Sequence, residues 1–232
     1  AEITNASFDE DREIDEILDE TEKKIFSVSR KFLKNAFLPL DSLLADAFER
    51  IDELHKHGGK LRGLSTGFND LDSLLAGLQK SDLIILAARP SVGKTSLALD
   101  IARQAAIKNK VGVGIFSLEM GKEQLVDRMI CAQANVNLWK MRTGNLSDKE
   151  EDNDFTKIGK SMGELAEAPI YIDDSSSLSV MEIRAKCRRL QIEKGLGLIV
   201  IDYLQLMEGR GKYSDNRVQE IGEISRGLKG IA

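Results

Sequence analysis

The sequence predicts an α/β protein, with a parallel sheet flanked by helices and an α-helical segment in front of it. Three observations lead there. First, short apolar runs alternate with longer stretches of helical period: Leu83 to Ala87, Val111 to Leu118, Pro169 to Ile172 and Leu198 to Ile201. Second, Leu83 to Ala87 and Leu198 to Ile201 are apolar throughout, which suits strands buried on both faces of a parallel sheet. Third, aromatic residues are only 5% of the chain and prolines number three, against 19 glycines. That balance fits a helix-rich α/β protein better than an all-β one.

Each element follows from its local pattern. From Asp9 to Lys34 the chain is acidic and helical in period, with Ile14, Ile17, Leu18, Thr21, Ile25 and Val28 on one face. A second helix is predicted over Ser42 to His55. Leu40, Leu44, Ala47, Ile51 and Leu54 form its stripe, and Leu43 and Phe48 widen it. Asp41 is its expected N-cap and Gly58-Gly59 its end. A helix this short must bury its face on something, either its own domain or a neighbouring subunit.

From Gly67 onward helix and strand alternate. Helices are predicted over Phe68–Leu75, Thr95–Lys108, Lys122–Ala134, Ser147–Ala166 and Ser179–Glu193. A last one starts near Asn216 and is expected to run still at Ala232. The four apolar runs supply the strands, and strands alternating with helices imply βαβ units.

Length and composition set the class. The 232 residues, 42% hydrophobic and 31% charged, allow one sizeable globular domain with an appendage. Cys131 and Cys187 lie far apart with neither disulfide nor zinc spacing. They read as buried small residues in a reducing, cytoplasmic protein. No apolar run is long enough to span a bilayer and no secretory leader is visible, so no membrane partner is expected. The net charge of −5 excludes a global basic footprint for nucleic acid. It is unevenly spread: residues 1–57 carry 15 acidic and 8 basic side chains, and the remainder 23 and 25. Any nucleic-acid contact must therefore come from a local patch.

Ala88-Arg89-Pro90-Ser91-Val92-Gly93-Lys94-Thr95 has the Walker A pattern, with Ala in place of the first Gly. It lies between an apolar run and a helix, where the chemistry needs it. Backbone N–H groups of residues 88–96, Ser96 included, can cradle phosphates at a helix N-terminus. Lys94 would meet the β- and γ-phosphates, and the Thr95 hydroxyl would face Mg²⁺. The run Leu198-Ile199-Val200-Ile201-Asp202 has the Walker B form, with Asp202 as a second Mg²⁺ partner. Glu119 follows another strand whose C-terminal end faces the same crevice. It could polarise an attacking water, or simply sit well before a helix N-terminus; spacing allows both.

Together these motifs resemble the bacterial replicative DNA helicases of the DnaB family. The likeness rests on the loop Ala87 to Thr95, on Phe116-Ser117-Leu118-Glu119-Met120 and on Ile201-Asp202-Tyr203-Leu204-Gln205-Leu206-Met207. Asn216-Arg217-Val218-Gln219-Glu220-Ile221, Leu64-Ser65-Thr66-Gly67-Phe68 and Leu71-Asp72 extend it over essentially the whole chain.

The resemblance implies a RecA-like P-loop NTPase core over residues 61–232, a linker helix within 36–60 that docks on the adjacent subunit, and the helical tail of an N-terminal domain over 1–35. It implies an ATP hydrolase that forms a homo-hexamer around single-stranded DNA, unwinds duplex DNA at the replication fork, and meets a primase and a helicase loader. ATP and Mg²⁺ would be the cofactors. Lys94, Thr95 and Asp202 would hold them, with Glu119 as the catalytic carboxylate. Relatives continue into a strand with a polar sensor, a DNA-binding loop and an arginine finger, which this sequence lacks; slow hydrolysis by the chain alone is therefore expected.

DNA contact has its own candidates in Arg210, Lys212 and Arg217. Phosphate contacts there would be salt-dependent and blind to sequence; a plain surface loop fits equally. Arg184, Lys186, Arg188 and Arg189 read as a solvated helix face or subunit contact, and Trp139 as a core residue. Two rival functions stand beside the helicase: a RecA-like ATPase of recombination or regulation, and an assembly module with nucleotide only as a structural ligand.

Overall fold

The computed structural model describes residues 39–56, 61–149, 153–209 and 217–232. The chain divides into two units, Ala1–Lys60 and Leu61–Ala232. In the first, the described part is one helix, α1 (Leu40–Lys56), tied at its end by a Lys56–Asp52 ion pair of 2.6 Å. Leu40, Leu44, Phe48 and Ile51 on α1 are exposed, as the predicted apolar stripe requires of a helix seen by itself. Asp41 sits inside the first turn and so does not cap the helix as expected. The helical reading of Asp9 to Lys34 lies outside the described residues.

The second unit contains α2 (Asn69–Leu75), α3 (Lys94–Asn109), β1 (Val113–Ser117), α4 (Lys122–Ala134), α5 (Leu138–Thr143), α6 (Asp154–Ala166), β2 (Ile170–Asp173), α7 (Val180–Lys194), β3 (Leu198–Asp202) and α8 (Arg217–Lys229). The three strands form a parallel sheet in the order β2-β1-β3. Side chains alternate across it, as a period of two demands. Val113 and Ile115 face a cluster built from Leu99, Ala102, Ala105 and Ala106 of α3 with Leu125 and Met129 of α4. Phe116 faces the other way, toward Ile183 and Cys187 of α7 and Ile224 and Leu228 of α8. The result is three layers with a core on each side of the sheet.

Two small residues let the layers close. A Cβ on Gly112 would stand 2.2 Å from the Gly195 carbonyl oxygen. Gly67, at φ +84, rests on α3, where a Cβ would come within 2.7 Å of the Gln104 side chain. The turn holding Gly67 is locked by Asp72, which accepts from the Thr66 amide at 2.8 Å, the Thr66 hydroxyl at 2.7 Å and the Ser65 hydroxyl at 2.6 Å. Burial alone would push the Asp72 carboxyl up, but these donors together outweigh it and hold it below the usual range.

Several expectations need correction. Leu83 to Ala87 pairs with nothing among the described residues, and Ile84, Ile85 and Leu86 are exposed. An apolar run becomes a strand only where a neighbour's edge meets it, and the sheet as described leaves this segment without one. β3 is half-buried apart from Asp202, because it lies at the sheet's edge. The helix expected from Ser147 starts at Asp154, capped by the Asn153 side chain accepting from the Thr156 amide. Ser147 lies outside that helix; its amide donates to the Asp154 carboxylate at 2.9 Å. The last helix ends at Lys229, before Gly230, instead of running on to Ala232. α5 was not foreseen, although its Asn137 N-cap and left-handed Gly144 C-cap stand in the sequence. It places Trp139 at the surface, 64% exposed, not in the core. Among the described residues no helix is long and apolar enough to cross a membrane.

Candidate functional site

The predicted phosphate loop lies where α3 begins. Ser91 and Gly93 both take positive φ, 65° and 106°, which coils the loop around the helix start. No side chain caps α3. Among the described residues, the amides of Gly93, Lys94, Thr95 and Ser96 find no acceptor. Four free N–H groups at the positive end of a 16-residue helix are suited to a phosphate. Residues Ala88 to Gly93 are solvent-exposed, and the loop's one internal bond runs from the Val92 amide to the Arg89 carbonyl at 3.3 Å.

Asp202 is the pivot. β3 carries it to the sheet's C-terminal edge, level with Ser117 of β1, and it is 7% exposed. One carboxylate oxygen meets Lys94 Nζ at 2.9 Å, and the other accepts from the Thr95 hydroxyl at 2.6 Å. The two motifs, distant in sequence, are therefore brought together side chain to side chain. A hydroxyl and a carboxylate converging in this way offer hard oxygen donors, which fit Mg²⁺ completed by phosphate oxygens and water. Among the described residues no group of three or more His, Cys, Asp or Glu forms a metal cage by itself.

Glu119 sits just beyond β1. The Leu118 amide bonds to the Asp202 carbonyl at 2.8 Å, so Glu119 leaves the same sheet edge as Asp202. The turn is fixed by Ser117, whose hydroxyl donates to the Met120 carbonyl at 2.7 Å and accepts from the Met120 amide at 3.2 Å. Glu119 is exposed and makes no hydrogen bond or ion pair with any described residue.

Three features were not foreseen. Tyr203, next after Asp202, places its ring 4.2 Å from Lys94 Nζ. Beside Ser96 a cavity of about 500 Å³ opens between α3 and α4, lined by Leu99, Asp100, Met129, Asn135 and Arg128 among others. Arg128 is one of its lining residues, and the buried Arg128 Nε has no hydrogen-bond partner among the described residues. Only the first had a signal in the sequence, its adjacency to Asp202. The other two depend on how α3 and α4 pack.

Of the DNA candidates, Arg217 is described: its guanidinium meets the Gln205 carbonyl and the Glu220 carboxylate. Arg210 and Lys212 lie outside the described residues. On α7, Lys186 pairs with Asp173 and Arg189 with Glu193 at 2.7 Å, in keeping with a solvated face. Both cysteine thiols are buried; burial raises Cys131, and pushes Cys187 up to about 11.

Residues 63–232 match the family described as the DnaB-like helicase C terminal domain. Replicative DNA helicase DnaC of Bacillus subtilis is 49% identical over 99% of this chain and 50% of its own length. Replicative DNA helicase DnaB of Geobacillus stearothermophilus is likewise 49% identical over the same shares. The chain thus spans about half the length of these relatives. Among solved structures, one described as an ATPase domain superimposes with a TM-score of 0.75 at 32% identity, covering 84% of this chain and 67% of that one. A DnaB-like replicative helicase, solved in a study of its interactions with primase, gives 0.72 at 30% identity over 93% of this chain and 50% of that one.

Proposed function

This chain belongs to the DnaB-like helicase family, and on that premise we propose that it is the ATP-hydrolysing motor of a replicative DNA helicase. The observation that carries the reading is the convergence of Lys94 and Thr95 on Asp202 at the open end of a parallel sheet.

The free amides of residues 93–96 would take the β- and γ-phosphates, with Lys94 adding charge. Thr95 and Asp202 would hold Mg²⁺, which when bound neutralises charge developing on the phosphate oxygens. The cavity beside Ser96 would receive the nucleoside, with the Arg128 guanidinium against the base. Glu119, free of other partners, would orient the attacking water and accept its proton. The water oxygen bonds to the γ-phosphorus as the bond to the bridging oxygen of ADP breaks.

Beyond the site, the family resemblance implies a homo-hexamer around single-stranded DNA that works with a helicase loader and a primase, the last supported by the related helicase studied with primase. The exposed stripe of α1 is suited to docking on an adjacent subunit. Arg217 would act on DNA binding indirectly, by holding the Gln205 carbonyl. Arg210 and Lys212 remain the direct phosphate candidates.

The test is hydrolysis by the full-length protein, with and without single-stranded DNA, beside strand displacement. Lys94→Ala should abolish both. Hydrolysis that survives Lys94→Ala, or unwinding that needs no nucleotide, refutes the reading.

A further inference from the structure

Lys94 is gripped by two consecutive residues. Asp202 takes its ammonium at 2.9 Å, and the Tyr203 ring lies 4.2 Å from the same Nζ. The Tyr203 side chain makes no hydrogen bond with any described residue, and it belongs to neither core cluster. It presents its ring face to Lys94.

We propose that Tyr203 is a positioning residue, which keeps Lys94 aimed at the phosphate position while Asp202 changes partners. The inference rests on the nucleotide-site reading above. Asp202 has two tasks that conflict. It binds Lys94 through one oxygen and Thr95 through the other, yet with Mg-ATP bound its oxygens face the metal side and Lys94 must turn to phosphate. A carboxylate attracts an ammonium strongly and competes with phosphate for it. An aromatic face attracts it through the ring quadrupole and carries no net charge. It therefore repels the incoming phosphates far less than a carboxylate would, and it offers no oxygen to compete for the metal. Tyr203 is the partner Lys94 can keep throughout, so the lysine is not released into solvent when the ion pair opens. Less of its rotamer freedom is then left to be lost on binding.

The ring, not the hydroxyl, carries this role, and that makes it testable. Tyr203→Leu keeps bulk and loses the face, whereas Tyr203→Phe keeps the face. In the full-length protein, Mg²⁺ and a fluorescent ADP analogue report affinity, ATP hydrolysis reports kcat and KM, and thermal unfolding reports the fold. Tyr203→Leu should weaken nucleotide binding about 2- to 30-fold, the range a cation–π contact spans. The loss should fall on KM more than on kcat, and Tyr203→Phe should restore it. A second readout needs no nucleotide: acylation of the Lys94 amine by a water-soluble ester, followed by peptide mass spectrometry, should speed up in Tyr203→Leu and return to the wild-type rate in Tyr203→Phe.

Wild-type affinity in Tyr203→Leu overturns the proposal. So does a loss shared equally by Tyr203→Phe, which would assign the effect to the hydroxyl, or a Lys94 labelling rate that is the same in all three proteins. If wild type and Lys94→Ala bind the analogue equally, the nucleotide-site reading itself fails, and that result is separable from the Tyr203 comparison.

Discussion

Two apolar runs lead into the site, and the structure treats them differently. Val113–Ser117 is buried along its whole length, with a strand on either side and helices over both faces; it delivers Glu119. Leu83–Ala87 is just as apolar and delivers the phosphate loop, yet among the described residues it is unpaired, with Ile85 66% exposed. Composition states that a segment needs burial; only neighbours decide whether it gets it. The consequence reaches the site. Glu119 is aimed by the strand behind it, through the Ser117 turn. The phosphate loop is aimed from the front, by α3 and by the grip of Asp202 on Lys94 and Thr95.

The contrast can be pressed from its strongest effect to its weakest. Glu119→Gln should lower ATP hydrolysis about 10²- to 10⁴-fold in steady-state assays, while nucleotide affinity and unfolding midpoint stay near wild type, because the carboxylate has no partner among the described residues. A matching loss of stability would show that the β1 end is structural instead. Ile115→Ala, at a site 1% exposed, should cost about 2–5 kcal/mol in urea unfolding. Asp72→Asn should cost about 1–3 kcal/mol at neutral pH. Since the Asp72 carboxyl is held below its ordinary value, its contribution is complete above about pH 4 and is lost as pH falls through the lowered value. The gap between wild type and variant should therefore narrow below pH 4; a gap independent of pH would mean that the charge plays no part. Ile85→Ala should change stability by less than about 0.5 kcal/mol. A cost resembling that of Ile115→Ala would erase the distinction between the two runs.

The sequence carried the elements that depend on short-range pattern. Lys122–Ala134 is bounded as predicted, Asp202 ends β3, Glu119 lies just past β1, and the phosphate loop opens the expected helix, though not behind the expected strand. Harder to read was anything set by partners. The lack of a strand partner for Leu83–Ala87 among the described residues, the surface position of Trp139 and the cavity that Arg128 helps to line all arise from what packs beside them, which no local period encodes. Tyr203 is an intermediate case. Its place after Asp202 was plain, but its stacking on Lys94 needed the geometry.

The unpaired run has a consequence for handling the protein. Leu83 to Ala88 is six apolar residues without charge, proline or glycine, with two β-branched isoleucines at its centre and no main-chain hydrogen bonds among the described residues. That is the composition of a segment that seeds intermolecular cross-β stacking. Asp82 on one side and Arg89-Pro90 on the other bracket it as gatekeepers, a charge at each border and a residue that cannot extend a ladder. The arginine and proline at the start of the phosphate loop would thus guard solubility as well as form part of a nucleotide site, and replacing both should lower the concentration at which the protein precipitates.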